Sequence, residues 1–382
     1  MKRVIKNGLV YRNSSRSFLE MDVLIEGREI LSVGERGAFD NIDASVTDAH
    51  GMRLTSGFID VHTHGICGVD FLGATDEGLR RASKGYLLHG VTTVMPTLAS
   101  APLDEMIASA KKIADFCEDG GASFCGVHIE GRYLNPQKKG AHAIELLASL
   151  DAKELSLFES VGLSALHISA ALELDTSYEF LKKAQDIGAT VALGHTMATF
   201  SESRELEKRG VSAYAHLFNA MPPLHHRDGG AVAACLLGNA YGEVICDGIH
   251  VSPEMVLLAY KLKGERITLI SDSMEATYCP DGDYSIAGNP VRVENKIART
   301  LDGALAGSTL TLDRALANLM SFCGIRLEDA IISATESPAR EVGIFDKYGS
   351  IDENKMADIL FISADELKIN AVMKNGEEPI TL

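Results

Sequence analysis

Apolar residues fall along the chain in two different rhythms. Over the first 50 residues they come in short alternating segments, VIKNGLVY, DVLIEGREI and ILSVGE, punctuated by Asn7-Gly8, Glu26-Gly27 and Gly34. Alternation with a period of two, broken by such pairs, predicts strands joined by hairpins. The last 35 residues read the same way, through ADILFIS and LKINAVMKNGEE. Neither end can bury much apolar surface alone, so the two are expected to pair into one small β-sandwich, residues 1–54 with 344–382. Between them short apolar runs alternate with helical stretches. The runs are GFIDVHTH, VTTVMPTL, FCGVHIEG, ALHISAA, TVALGHT, SAYAHLFN, EVICDGIH and RITLISDS, eight in all. TDEGLRRASKGYLLH, LDEMIASAKKIADFCE, SYEFLKKAQDIG, SESRELEKRG and PEMVLLAYKLKG supply helices between most of them. Eight buried strands with crossover helices predict an α/β fold, a (β/α)8 barrel of the TIM type over residues 55–343. A segment from Pro280 to Ile297 reads as a hairpin inserted after the eighth strand.

Composition narrows the function more than the fold. A chain of 382 residues suits one large domain and a small one. Its formal charge of −17 repels phosphate backbones, and its longest basic clusters, Lys111-Lys112 and Lys138-Lys139, make no stripe for nucleic acid. A small anionic substrate is still admissible, because screening lets a few local cations outweigh a distant field. The seven cysteines include no CxxC pair, which argues against a disulfide framework or a thiolate zinc site. The N-terminal MKRVIKNGLVYRNSS has no apolar signal segment, and no run is long enough to span a membrane. These features predict a soluble protein of the reducing cytoplasm.

The chemistry is concentrated where the predicted strands end. Strand one ends His62-Thr63-His64 and strand three His128-Ile129-Glu130. Strands five to eight end at His195, His216, His250 and Asp272. The C-terminal ends of barrel strands converge on one mouth. Residues i and i+2 of a strand share a side, so His62 and His64 can face one ion. Alone, that pair reads equally well as two hydrogen-bonded barrel histidines. Joined by Glu130, His195, His216 and Asp272 it predicts a divalent-metal site of imidazole and carboxylate, suited to zinc, iron, manganese or cobalt. Such an ion makes hydroxide available near neutral pH and polarises a carbonyl. Asp272 can move the proton; its plain alternative is a helix N-cap within Ser271-Asp272-Ser273. Arg227 lies in a loop fenced by Pro222-Pro223 and Gly229-Gly230, and its guanidinium can take phosphate in bidentate fashion. His225 and His226 read as surface or interface residues, and His50, His89 and His167 as structural ones.

GFIDVHTHG resembles the opening barrel strand of the amidohydrolase superfamily. More narrowly, the chain resembles the N-acetylglucosamine-6-phosphate deacetylases through HIEGRYLNPQKKGAH, GHTMAT, AHLFNAMPPLHHRDGG, DGIHV, LISDSM, PDGDY, GALAGSTLTLDRAL and SPAREVGIFDKYGSIDENKMADILFI. The likeness runs over nearly the whole chain. It implies that Glu130, His195 and His216 hold a main metal, that His62 and His64 complete a second site, and that Asp272 is general base and then acid. It implies that His142, otherwise a plain loop histidine, hydrogen-bonds the acetyl carbonyl beside Ala141. Asn219, Ala220, Arg227 and the Asp247-Gly248-Ile249-His250 string would hold the sugar phosphate, and Leu305, Ala306 and Gly307 would line the sugar pocket. It further implies a homodimer with Arg227 near the interface. The implied reaction is hydrolysis of the acetamide of N-acetylglucosamine 6-phosphate, with the galactosamine epimer or another N-acyl sugar phosphate as alternative.

Four places depart from the family pattern. Arg132 stands for a proline, Leu172 for another ahead of Glu173, Thr196-Met197 for Ser-Asn or Ser-Asp, and Asp228-Gly229 for Glu-Pro. Arg132 and Met197 neighbour proposed ligands, where they could alter the substrate pocket, which leaves the galactosamine epimer or another N-acyl sugar phosphate open. Two other readings compete. A dihydroorotase or hydantoinase type would offer a lysine where this chain has Glu130. A non-catalytic barrel would be expected to have lost a ligand or Asp272, and none is lost.

Overall fold

The computed structural model describes residues 2–117 and 120–382. Both chain ends join one mixed sheet of eight strands, ordered Ile380–Thr381, Ile369–Met373, Ile359–Ile362, Arg53–Ser56, Lys2–Arg12, Ser17–Glu26 and Glu29–Glu35, with Ser45–Asp48 also paired to Lys2–Arg12. Its edge strand Glu29–Glu35 reaches the segment leading into Ile359: Ile30 N donates to Lys355 O and Ala357 N to Arg28 O, both at 2.8 Å. The expected sandwich is thus a single sheet curled round its own core of Ile5, Val23, Ile25, Leu54, Ile359 and Phe361. Glu26-Gly27 does turn a hairpin. Asn7-Gly8 does not. It sits inside Lys2–Arg12, where the register slips between Ile5 and Gly8 and Asn7 has φ 57°. The slip is a β-bulge, which also needs a left-handed residue and therefore leaves the same trace in sequence as a turn.

The barrel strands are β1 (Phe58–Thr63), β2 (Val91–Leu98), β3 (Val127–Glu130), β4 (Leu166–Ala170), β5 (Thr190–Leu193), β6 (Ala213–Tyr214), β7 (Tyr241–Ile245) and β8 (Ile267–Ile270). Seven of the eight predicted runs contain one, and the seventh run, EVICDGIH, overlaps β7, which begins two residues earlier at Tyr241. They pair in parallel in the order β1 to β8. Every residue of β1 and β2 is buried, as befits strands covered by helices outside and by side chains within. Between β8 and β1 there is no ladder. The gap is bridged by Asp272 N to His62 O at 2.9 Å and by Ser271 N to Asp60 Oδ1 at 3.3 Å.

The five predicted helices form, the second as Leu103–Asp115; Glu118, at the end of its expected span, lies outside the described residues. Helices Ala152–Val161, Gly230–Leu237 and Leu312–Cys323 were not expected. Gly230–Leu237, GAVAACLL, is apolar on nearly every side and carries no periodic signal. The inserted hairpin is a three-stranded antiparallel sheet, Gly282–Ile286, Asn289–Glu294 and Ile297–Thr300, over a small core of Met274, Ile286, Val291, Val293 and Ala306.

Candidate active site

At the C-terminal mouth of the barrel, the strand ends bring six acceptor side chains together. Glu130 is the hub. Its Oε1 lies 2.9 Å from His216 Nε2, 3.2 Å from His195 Nε2 and 3.3 Å from His62 Nε2. Its Oε2 lies 2.9 Å from His64 Nε2. Asp272 Oδ1 faces His64 Nε2 at 3.3 Å and His62 Nε2 at 3.7 Å. Two groups with metal-binding geometry result, His62, His64, Glu130 and Asp272 in one and Glu130, His195 and His216 in the other, sharing Glu130.

Local backbone explains how the side chains turn inward. His195, His216 and Asp272 all have left-handed φ, 48°, 29° and 45°. Such strain persists only where surroundings enforce it. Around Asp272 they do: its N–H donates to His62 O, and its carbonyl accepts from Ser308 N at 2.7 Å as the chain returns from the inserted sheet. The His195 turn is anchored by Glu173, which accepts from Met197 N at 2.7 Å and from the Thr196 hydroxyl at 2.6 Å. Gly140 packs against the His195 ring; a Cβ there would sit 2.9 Å from Cε1, and its φ is +56°.

Hydrogen bonds fix which ring nitrogens carry lone pairs. His195 Nδ1 donates to Lys138 O at 2.7 Å, and His62 Nδ1 donates to Glu243 Oε2 at 2.7 Å. A carbonyl or carboxylate can only accept, so each Nδ1 carries its hydrogen and Nε2 is the ring nitrogen turned towards Glu130. Among the described residues His62 Nε2 makes no hydrogen bond of good geometry, although Glu130 Oε1 lies 3.3 Å away. The Nε2 atoms of His195 and His216 lie 3.0 Å apart, so both rings present the same nitrogen to one point beside Glu130. Nitrogen and oxygen donors without thiolate, converging with bare lone pairs, fit a divalent ion. The field here favours positive charge. Burial lowers the basicity of His64, yet Asp272 and Glu130 outweigh it and lift the group to about 9. Burial opposes ionisation of Glu130, and the surrounding histidines hold it well below the usual carboxylate range all the same.

His142 is the exception. Burial and then the positive field of His195 push it down to about 3, so it stays neutral. Its Nδ1 accepts from Ser100 N at 3.4 Å and lies 2.9 Å from the Ser100 hydroxyl. Nε2 therefore carries the hydrogen, 3.8 Å from Glu130 Oε2. A cavity of about 210 Å³ opens above these groups, lined by His64, Glu130, Ala141, His142, His195, His216, Asn219, Ala220, His250, Asp272, Leu305 and Gly307 among others. Size does not single it out, since a hollow of about 460 Å³ lies on the end sheet beside His50. The convergence of buried donors does.

The amidohydrolase family model matches residues 53–378. The chain belongs to the amidohydrolase family. It is 35% identical over 335 residues to the N-acetylgalactosamine-6-phosphate deacetylase of Escherichia coli O157:H7, covering 87% of this chain and 89% of that one. It is 32% identical to the N-acetylglucosamine-6-phosphate deacetylase of Vibrio furnissii, over 88% and 87% of the two chains. Its structure is similar to that of an aspartate-to-alanine mutant of the Mycobacterium smegmatis N-acetyl-D-glucosamine-6-phosphate deacetylase in complex with N-acetyl-D-glucosamine-6-phosphate, with TM-score 0.88, 27% identity and coverage of 99% and 98%.

Not every residue singled out from the sequence of this amidohydrolase lines the cavity. His62 lies behind its wall, fully buried. Asp247 and Ile249 line a neighbouring hollow of about 140 Å³ that shares His250 and Gly307. Asp247 shapes that loop, accepting from Ile249 N, His250 N and His250 Nδ1 at 2.7–2.8 Å. Gly248, with φ 75°, packs near Phe322 instead, and Ala306 is buried in the core of the inserted sheet. Arg227 is exposed, its Nη1 2.8 Å from His226 Nε2, and lines neither hollow.

Neither Arg132 nor Met197 lines the cavity. The Arg132 guanidinium pairs with Glu154 at 3.0 and 3.2 Å, and Met197 is exposed. Sequence reasoning missed Glu243 and Ser100. Glu243 lies inside β7, in a run read only as a buried strand; a charge among EVIC was the signal available.

Proposed function

We propose that this amidohydrolase hydrolyses the acetamide of N-acetylglucosamine 6-phosphate to glucosamine 6-phosphate and acetate. The observation that carries this is the pairing of a converging, lone-pair-bearing cluster, His62, His64, Glu130, His195, His216 and Asp272, with a neutral His142 whose Nε2–H aims into the same cavity. One or two ions of zinc, iron, manganese or cobalt would be held by these ligands, Asp272 included, supplying polarisation of the acyl oxygen and an activated water. His142 donates to the acetyl carbonyl oxygen, where negative charge develops as water adds to the carbonyl carbon, before the C–N bond breaks. Asp272 takes the proton of the attacking water and returns it to the departing amine. Asn219, Ala220 and His250 hold the sugar from the rim, with Ala141, Leu305 and Gly307 as its walls. Asp247, Gly248, Ile249 and Ala306 shape that rim through their backbone.

Arg227 would bind the phosphate. Its exposure suits a role across the interface of a homodimer, with the guanidinium reaching the neighbour's cavity. The separate core of the end sheet supports a small domain of residues 1–54 and 344–382 beside a barrel of 55–343, the strand Arg53–Ser56 straddling the join. Seven cysteines, all free, suit a reducing cytoplasm; among the described residues no helix is long and apolar enough to cross a membrane.

A second reading is favoured by the 35% identity to a galactosamine-type deacetylase. It takes the C4 epimer through the same chemistry. Acetate release from the two epimers, measured on metal-analysed protein, decides between them. Release from neither would overturn the substrate class.

A further inference from the structure

Behind the cavity the barrel carries a second layer of polar side chains that the proposed reaction does not use. Its centre is Glu243 on β7, fully buried. Glu243 Oε2 accepts from His62 Nδ1 at 2.7 Å and lies 3.3 Å from the donating His216 N. A single carboxylate oxygen thus touches one residue from each of the two ligand groups. The other oxygen, Oε1, faces His167 Nε2 at 3.4 Å, with Glu341 beyond. Burying an ionised carboxylate among apolar residues is costly unless its charge is answered, and a leucine would fill the space with no such cost. A carboxylate on the far nitrogen of a metal-ligating imidazole fixes both its tautomer and its orientation.

The other ligands are held differently. His195 is oriented by the Lys138 carbonyl. The His216 turn has further anchors in Leu217 N to Glu243 O at 2.7 Å and Asn219 N to His216 O at 2.9 Å, both between backbone groups. His62 has only the Glu243 carboxylate on its Nδ1.

On the ligand assignment given under the proposed function, we propose that Glu243 is a positioning residue for the metal centre. It holds His62 as the Nδ1–H tautomer with Nε2 aimed at Glu130 and Asp272, and so sets how tightly the ion between His62 and His64 is bound. The ion held by Glu130, His195 and His216 depends on it far less.

The full-length protein, stripped of metal and titrated with Co²⁺ while its visible absorption is followed, tests this. Wild type should bind in two steps, and His62→Ala should abolish one of them. Glu243→Gln, equal in size, should weaken that same step by roughly 10- to 100-fold and leave the other within about threefold. Unchanged affinity at both steps overturns the proposal, and so does equal weakening of both. A single step in wild type is a different failure: it sinks the two-ion reading itself and this proposal with it. Should Glu243→Gln not fold, the Zn²⁺-loaded wild-type protein carries the test. In ¹⁵N-histidine spectra, with the His62 signal assigned by its loss in His62→Gln, the Nδ1–H tautomer is expected, and the Nε2–H tautomer overturns the proposal.

Discussion

Asp272 is held from three sides: by its N–H to His62 O, by its carbonyl to Ser308 N, and by its carboxylate facing His64. Asparagine at 272 preserves the first two restraints and most of the volume, but it cannot carry a proton from water to amine. Asp272→Asn should therefore keep the fold and at least one ion while turnover falls by roughly 10²–10⁴. A loss under tenfold, with metal content unchanged, would return Asp272 to the status of a mere cap. Arg227 makes the opposite case, an exposed side chain whose one polar contact among the described residues is its neighbour His226. On a chain of formal charge −17 an anionic substrate needs a local clamp. A charge-assisted contact contributes about 1.5–3 kcal/mol. Arg227→Ala should accordingly raise KM for the phosphorylated sugar about ten- to more than hundredfold, and leave use of the unphosphorylated sugar nearly as it was. Equal losses on both substrates would make Arg227 structural.

At the scale of elements, the end sheet buries one ion pair beside its apolar core. Lys374 Nζ lies 2.7 Å from Asp358 Oδ2, and both side chains are nearly inaccessible. Asp358 Oδ1 also accepts from Asn375 N at 2.8 Å, stapling the turn after Ile369–Met373 to the start of Ile359–Ile362. Removing one partner leaves an unanswered buried charge. Asp358→Ala should cost about 3–5 kcal/mol, read as a lower urea midpoint, and the double variant Asp358→Ala with Lys374→Met should recover much of it. No recovery in the double variant would show that the hydrogen bond to Asn375, rather than the charge, was lost. The barrel strands were legible because burial on both faces leaves continuous apolar runs bounded by turns. Helix Gly230–Leu237 was not, because an element buried on nearly all sides has no polar face to mark its period. Asn7-Gly8 was misread as a hairpin because bulge and turn demand the same backbone.

For the whole molecule, the site joins residues from β1, β3, β5, β6 and β8, so an ion bound there ties together segments from one end of the barrel to the other. A ligand that binds only the folded chain stabilises it by mass action, about 2.7 kcal/mol at a hundred times its dissociation constant. Saturating Zn²⁺ should raise the thermal midpoint of the stripped protein and should do so much less for His195→Ala. Identical midpoints with and without Zn²⁺ in the wild type would show that these residues do not hold an ion in solution.

The primary structure by itself determined the order of the barrel strands and which polar residues close them. Strand ends announce themselves as polar residues closing apolar runs, and a barrel sends all such ends to one mouth. It could equally say that His62 and His64 share a side, since that follows from the pleat alone. What only the tertiary structure decided is which nitrogen of His62 and of His195 faces the cluster and what stands behind it. The Nδ1 of His62 meets Glu243 from a strand 181 positions away, and that of His195 meets a carbonyl 57 positions away. It also paired Arg132 with Glu154 and carried Ala306 into the core of the inserted sheet. Local sequence sets backbone period and side-chain chemistry. Tautomer, orientation and exposure depend on partners that the chain brings near only by folding.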